Sequence, residues 1–126
     1  MIDVAKVIAQ KSKATRLKVG AVIVDSKNRI LSTGYNGTPY KTSNICEENN
    51  TTLPHVLHAE LNAILFAKQP LDNAMLYVTH SPCIHCAACI IQSGITTVIY
   101  ELEYRDSSGI DFLAANGITV TKINQD

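Results

Sequence analysis

The sequence has no net charge, no long apolar run and few cysteines. Its 126 residues hold 11 Lys and Arg against 11 Asp and Glu, so no overall positive field attracts the chain to nucleic acid or to an anionic membrane. No segment approaches the roughly 18 apolar residues of a membrane-spanning helix, and Asp3 and Lys6 stand where a signal peptide would be apolar. We therefore expect a cytoplasmic protein, in the host cytoplasm if it is viral, without nucleic-acid or membrane partners.

The chain also lacks a Pro-, Gly- or Ser-rich linker, a charge block and an internal repeat. Its length suits one domain whose core needs no disulfide scaffold, so we expect a single domain over residues 1–126 with one irregular stretch at 38–54. Three of the four cysteines lie within residues 83–89. In a reducing compartment such a cluster favours a metal or redox site over a disulfide framework.

The alternation of apolar and polar residues predicts the element order αββαβαβαβ. The predicted strands cover 19–25, 30–35, 75–79, 96–100 and 118–123, and the predicted helices begin near residues 2, 59, 83 and 107. The first two strands form an antiparallel hairpin, and the later strands, which alternate with helices, pair in parallel. This order predicts a three-layer α/β fold, a mixed five-stranded sheet with helices on both faces. Residues 59–67 are apolar on nearly every side, which predicts a helix covered on most faces.

Two short motifs stand at the starts of two predicted helices, His58-Ala59-Glu60 and Pro82-Cys83-Ile84-His85-Cys86. Cys83 and Cys86, spaced i and i+3, place both sulfurs on one face of a first helical turn, where the helix dipole favours thiolates. His58 supplies a third zinc ligand if the two helix starts meet at one edge of the sheet. Three protein ligands leave a fourth position open to water, and Glu60 is the neighbouring base that can take that water's proton.

The two motifs leave other interpretations open. Cys83 and Cys86 alone could form a redox pair. Cys89 could join them and His58 to close a structural zinc site in which Glu60 has no role. The small and apolar neighbours of Cys89 favour a buried cysteine instead of a fourth ligand.

The pairing of His-x-Glu with Pro-Cys-x-x-Cys resembles the signature of zinc-dependent deaminases. Longer strings, which together span most of the chain, are similar to the deoxycytidylate (dCMP) deaminase family within the cytidine and deoxycytidylate deaminase superfamily. They are GYNGTP at 34–39, HAELNAI at 58–64, YVTHSPCIHCA at 77–87 and IIQSGI at 90–95. The resemblance implies a cytidine deaminase-like fold and the hydrolysis of dCMP to dUMP and ammonia, a source of dUMP for dTMP synthesis.

The resemblance also implies roles for single residues. It places one catalytic Zn²⁺ on His58, Cys83 and Cys86, and it makes Glu60 the residue that protonates N3 of the pyrimidine and releases ammonia. The substrate-binding residues that it implies are Arg16, Asn36, Ala59, Ser81, Tyr104 and Arg105. Arg16 and Arg105 match positions that contact phosphate, Asn36 matches one that binds the sugar hydroxyl, and backbone groups near Ala59 and Ser81 read the base edge. Tyr104 is expected to pack against the nucleotide.

Assembly and regulation are further implications of the resemblance. Relatives are commonly homohexamers that are activated by dCTP and inhibited by dTTP, bound with Mg²⁺ near the GYNG loop, and residues 35–38 belong to that loop here. Cys46 lies within the irregular stretch and His55 directly follows it, but they lack the full ligand set of the second zinc in some phage-type relatives. A deaminase of another nucleobase or nucleoside and a non-enzymatic zinc protein stay as alternatives, although a pI near 6.9 argues against an RNA substrate.

Overall fold

The computed structural model describes residues 1–123. Within them the helices are α1 (Ile2–Ala9), α2 (Ala59–Phe66), α3 (Ile84–Ser93) and α4 (Ser108–Ala115). The strands are β1 (Gly20–Val24), β2 (Ile30–Tyr35), β3 (Glu47–Glu48), β4 (Thr51–Thr52), β5 (Met75–His80), β6 (Thr97–Leu102) and β7 (Thr119–Lys122). No helix within this part of the chain has the length and apolarity needed to cross a membrane.

The main sheet has the mixed topology that the sequence predicts. Its five strands run in the order β2-β1-β5-β6-β7. β1 pairs antiparallel with both β2 and β5, whereas β5, β6 and β7 are parallel. All five residues of β1 are buried, because this central strand is covered on both faces.

Helices cover both faces of the sheet, which confirms the predicted three-layer architecture. On one face, Ile2 and Ala5 of α1 pack with Val22 and Val24 of β1. On the other face, α2, α3 and α4 share a single core with the inward side chains of β1, β5 and β6. The fully buried Leu113 belongs to this core and ties α4 to it.

The last turn of α2 departs from the prediction. Leu65 and Phe66 are each 64% exposed, so the expectation of a helix covered on most faces is wrong there. The cause lies in the position of the helix over β2, an edge strand. Gly34 of β2 lets the helix come so close that a Cβ at that position would overlap the carbonyl oxygen of Ala59. The helix buries its inner side, and no further layer of the described chain covers its outer side.

The stretch at 38–54, predicted to be irregular, contains a small ribbon. Glu47 pairs with Thr52 and Glu48 with Thr51 to make the antiparallel pair β3–β4. The connecting residues are Asn49 and Asn50, with positive φ angles of 52° and 60°, the conformation that Asn tolerates in a tight hairpin turn. Strands of two residues are too short to leave a periodic pattern, so the prediction missed them.

Candidate active site

The two motifs meet at one edge of the sheet because a helix begins there after each of them. His58 is the residue that caps α2, and Cys83 caps α3 directly after β5. The backbone N–H of Ser81 donates to the carbonyl oxygen of Leu102 at 2.8 Å, which extends the pairing of β5 with β6 up to the start of the Pro82-Cys83 turn. The sheet therefore fixes where α3 begins.

Three metal-binding atoms converge at these helix starts. Nδ1 of His58 lies 3.2 Å from Sγ of Cys86 and 3.5 Å from Sγ of Cys83, and all three atoms lie within 4.8 Å of one another. In a tetrahedral zinc site the nitrogen and sulfur ligands stand about 3.5 Å apart, given Zn–N and Zn–S bonds of about 2.0 and 2.3 Å. The donor set and its spacing therefore fit Zn²⁺.

The neighbouring cysteines and histidines stay outside this cluster. Among the described residues, His58, Cys83 and Cys86 are the one group of three that could hold a metal. Cys89 is half-buried and His85 is exposed. Cys46 is buried with Ala14 and Val56 in a small apolar cluster.

In the metal-free protein the two cysteine thiols of this cluster have very different pKa values. Hydrogen bonds from Cys86 and His58 lower the pKa of the Cys83 thiol to about 3. The hydrogen bond to Cys83, together with burial, raises the pKa of Cys86. Cys83 is therefore the thiolate, beside the positive end of the α3 dipole, and uptake of Zn²⁺ must displace the proton of Cys86.

Glu60 is buried beside the cluster. Its side chain is 4% exposed, and burial raises its pKa to about 7, against a smaller opposing effect of its own backbone N–H and of His58. A carboxyl group with a pKa near neutrality can both accept and return a proton at physiological pH. Position and electrostatics thus suit Glu60 for proton transfer.

The cluster opens into a cavity of about 360 Å³. This volume falls in the range of small-molecule sites. The predicted residues that line it are Arg16, Asn36, His58, Ala59, Glu60, Cys83 and Tyr104. Cys86 and Ser81 are buried beneath the lining, and Arg105 is exposed and lies outside the lining. One cavity therefore joins the candidate metal site to Arg16.

A model of the cytidine and deoxycytidylate deaminase zinc-binding region matches residues 1–102. The chain belongs to this family. It is 40% identical over 126 residues to an uncharacterised deaminase of Aliivibrio fischeri, with 98% of this chain and 81% of that protein covered. It is 42% identical over 114 residues to the deoxycytidylate deaminase of Homo sapiens, with 82% and 64% covered.

A solved structure gives the same result for the fold of this deaminase. The dCMP deaminase from the cyanophage S-TIM5, crystallised with dCMP and dUMP, superposes with a TM-score of 0.92 at 40% identity, over 97% of this chain and 93% of that one. The cytidine deaminase-like fold is therefore confirmed. The prediction that the chain is a deaminase, and therefore a hydrolase, is confirmed as well.

In this deaminase Asn36 holds the loop that carries Arg16. Its side-chain oxygen accepts from the N–H of Val19 at 2.8 Å, and its side-chain nitrogen donates to the carbonyl oxygen of Leu17 at 2.7 Å. Its own carbonyl oxygen accepts from the hydroxyl of Ser12 at 2.7 Å. The sequence predicts a sugar contact for Asn36, and these bonds give it a structural task as well.

Tyr104 forms a wall of the deaminase cavity next to His80. The two rings lie 5.5 Å apart at an angle of 33°, and the backbone N–H of Tyr104 donates to Oγ of the buried Ser81 at 2.9 Å. Burial raises the pKa of Tyr104 to about 12, so its hydroxyl stays protonated. Since the N–H of Ser81 is bonded to Leu102, the carbonyl is the backbone group that Ser81 can offer to a base edge.

Several residues of the deaminase cavity were missed by sequence reasoning. Glu47, Thr52 and Val56 line it together with Arg16, and all three belong to the ribbon or to the segment after it. Nη1 of Arg16 donates to Oγ1 of Thr52 at 3.3 Å. No motif marks these residues, because their place in the site depends on how the 38–54 stretch folds back over the α1–β1 loop.

Proposed function

We propose that this deaminase hydrolyses dCMP to dUMP and ammonia. The observation that carries the proposal is a single cavity that has Glu60 and the candidate metal ligands His58 and Cys83 in its lining together with the cation of Arg16. Deamination requires the proton carrier and the metal ligands. Binding of a 5′-phosphate requires a cationic donor such as Arg16. The human relative named deoxycytidylate deaminase and the cyanophage structure with dCMP and dUMP support this substrate.

Proton transfer falls to Glu60 in this proposal. Zn²⁺ held by His58, Cys83 and Cys86 would supply the Lewis acidity that activates water for attack at C4 of the pyrimidine. Glu60 takes one proton of the attacking water and passes it to N3, and then takes the proton of the resulting C4 hydroxyl and passes it to the leaving amino group. The C4–N bond breaks, C4 keeps the oxygen as a carbonyl, and ammonia leaves. The burial that raises the pKa of Glu60 to about 7 suits both directions of transfer.

The other predicted site residues, in the lining and beside it, bind and orient the nucleotide. The guanidinium of Arg16 pairs with the 5′-phosphate, and Arg105 adds a second cation at the surface beside Tyr104. Asn36 contacts the sugar hydroxyl, and Tyr104 packs against the nucleotide. The N–H of Ala59, in the first turn of α2, and the carbonyl of Ser81 read the base edge, since a helix leaves its first N–H groups without partners inside the helix.

Replacing Arg16 tests the substrate. Arg16→Ala is expected to lower kcat/KM for dCMP about tenfold to a hundredfold, the usual worth of a hydrogen-bonded charge pair, and to leave deoxycytidine turnover unchanged. Ultraviolet-monitored deamination of the two substrates measures both values. Lys13→Ala, which removes an exposed cation of the same loop, is the matched control and should change neither.

Other outcomes would contradict the dCMP proposal. Equal wild-type kcat/KM for dCMP and deoxycytidine would show that the phosphate is not recognised. Turnover of an adenine or guanine substrate in place of both pyrimidines would favour the alternative, a deaminase of another nucleobase.

We propose further that the enzyme is a homo-oligomer, and a hexamer as the family resemblance implies. The outer side of α2 supports this, because Leu65 and Phe66 lie exposed beside Leu31, Tyr35 and Tyr40 around an apolar groove. Contiguous apolar patches of this kind mark protein interfaces. A second copy of the chain would bury them.

Phe66→Glu is therefore expected to reduce the molar mass measured by light scattering at micromolar concentration. A buried unpaired carboxylate in a subunit contact costs enough to dissociate it. Val7→Glu, at a residue of α1 that is 67% exposed, is the matched control and should leave the mass unchanged. A wild-type protein that elutes as a monomer would refute the oligomer.

Regulation and location complete the proposed function. We propose that dCTP activates and dTTP inhibits the enzyme, each bound with Mg²⁺ near residues 35–38, as the family resemblance implies. The dCMP assay repeated with dCTP or dTTP and Mg²⁺ measures the effect.

A reducing cytoplasm suits the free thiols of Cys83 and Cys86, and we propose that residues 1–126 act there as one domain.

A further inference from the structure

The carboxylate of Glu47 is bound to the backbone of the α1–β1 loop. The N–H of Thr15 donates to its two oxygens at 3.2 and 3.1 Å, and the hydroxyl of Thr15 donates at 3.0 Å. The N–H of Arg16 donates at 3.3 Å. Three donors on two successive residues therefore meet one carboxylate that is contributed from more than thirty residues further along the chain.

The side chain of Arg16 is held by the same ribbon. Its Nη1 donates to Oγ1 of Thr52, and Thr52 is the cross-strand partner of Glu47 in β3–β4. The ribbon is anchored in turn, because Cys46 is buried and its carbonyl oxygen accepts from the N–H of Leu53 at 2.8 Å. Both the backbone and the guanidinium of Arg16 are thus fixed by one cross-strand pair.

A carboxylate in a cavity that receives a phosphate would by itself repel the substrate. Here its hydrogen bonds offset that charge. Partial burial acts to raise the pKa of Glu47, but the hydrogen bonds from Arg16 and Thr15 outweigh it, so the pKa lies below its ordinary value. Glu47 stays ionised and bound to the loop. The N–H groups that it orders stabilise its negative charge by hydrogen bonding.

We propose that Glu47 is a positioning residue that orders Arg16 for a nucleoside 5′-monophosphate, which makes the β3–β4 ribbon a specificity element. The inference rests on the proposed function. An arginine held in place before binding loses less side-chain freedom when it captures a phosphate, so the gain appears only with phosphorylated substrates. A nucleoside without a phosphate does not use Arg16 and is indifferent to Glu47.

The test compares Glu47→Gln with the wild-type enzyme on dCMP and on deoxycytidine. Glu47→Gln should raise KM for dCMP about tenfold, keep kcat within about twofold, and leave kcat/KM for deoxycytidine unchanged. Glu48→Gln makes the same chemical change at the next, exposed residue and should have no effect. Thr52→Ala removes the partner of the guanidinium at an exposed position and should raise KM for dCMP in the same way, even if Glu47→Gln fails to fold.

A double-mutant cycle separates positioning from general stability. In an Arg16→Ala background, Glu47→Gln should cause no further loss with dCMP, because the two residues act through one contact. Additive losses, or equal losses with both substrates, would overturn the inference. Unchanged KM in Glu47→Gln and Thr52→Ala, with normal wild-type turnover of dCMP, would refute the inference alone. Absence of dCMP turnover in the wild type would refute the proposed function as well.

Discussion

Glu60→Gln is expected to lower kcat for dCMP by about 10³-fold or more, with one zinc per chain retained. The amide has nearly the shape of the carboxyl group but cannot accept the proton of the attacking water or return it to the leaving group. Glu60 lies two residues beyond His58. It is not one of the three residues whose side-chain atoms converge as metal ligands. Steady-state turnover and elemental analysis of the same sample measure the two quantities.

Two comparisons make this result specific. Glu48→Gln, the same change at an exposed residue, should keep wild-type kcat. A Glu60→Gln protein that keeps a tenth of the wild-type kcat would exclude Glu60 as the proton carrier. A Glu60→Gln protein that loses its zinc would mean that the carboxylate serves the metal instead.

Gly109→Ala is expected to weaken zinc binding at least tenfold and to abolish most activity. A Cβ at Gly109 would overlap the carbonyl oxygen of Pro82 and stand 2.8 Å from the carbonyl carbon of Cys83. These are backbone atoms, which cannot rotate aside as the end of a side chain can. Either α4 or the metal-binding turn must move, and displaced support of a ligand commonly costs ten- to a hundredfold in metal affinity.

Competition with a chelator measures the zinc affinity of this variant, and urea unfolding measures its stability. We expect a loss of about 1–3 kcal/mol in the free energy of unfolding, the usual cost of overpacking. Gly37→Ala is the control, because the nearest atom to a Cβ there is 4.0 Å away. Wild-type zinc affinity in Gly109→Ala would show that α4 does not set the position of Cys83.

Local sequence patterns predicted most of the fold. The apolar run at β1 and the β-rich runs at β5 and β6 reflect the burial of these strands, and residue type and pattern make such burial predictable. The exposed Leu65 and Phe66 could not be predicted, because an apolar side chain leaves the same pattern whether its own chain or another copy covers it. The β3–β4 ribbon was not predicted, because a strand of two residues is too short to show an alternation of apolar and polar residues.

The candidate site also contains residues that local motifs predicted and residues that only tertiary contacts bring together. His58, Cys83 and Cys86 were predicted because a helix start fixes the positions of a cap residue and of a residue three further on, and the sheet edge brings the two starts together. Glu47 was not predicted, since its contact with Thr15 and Arg16 joins segments that no motif connects. The roles of Arg105 and Asn36 toward the nucleotide stay predictions.

Product formation by the zinc-loaded protein tests the central claim most directly. dCMP should yield dUMP and ammonia in equal amounts, turnover should disappear when a chelator removes the metal, and one Zn²⁺ per chain should restore it. Absence of dUMP with one zinc bound per chain, or undiminished turnover by the stripped protein, would contradict the account of His58, Cys83, Cys86 and Glu60 as a hydrolytic deaminase site.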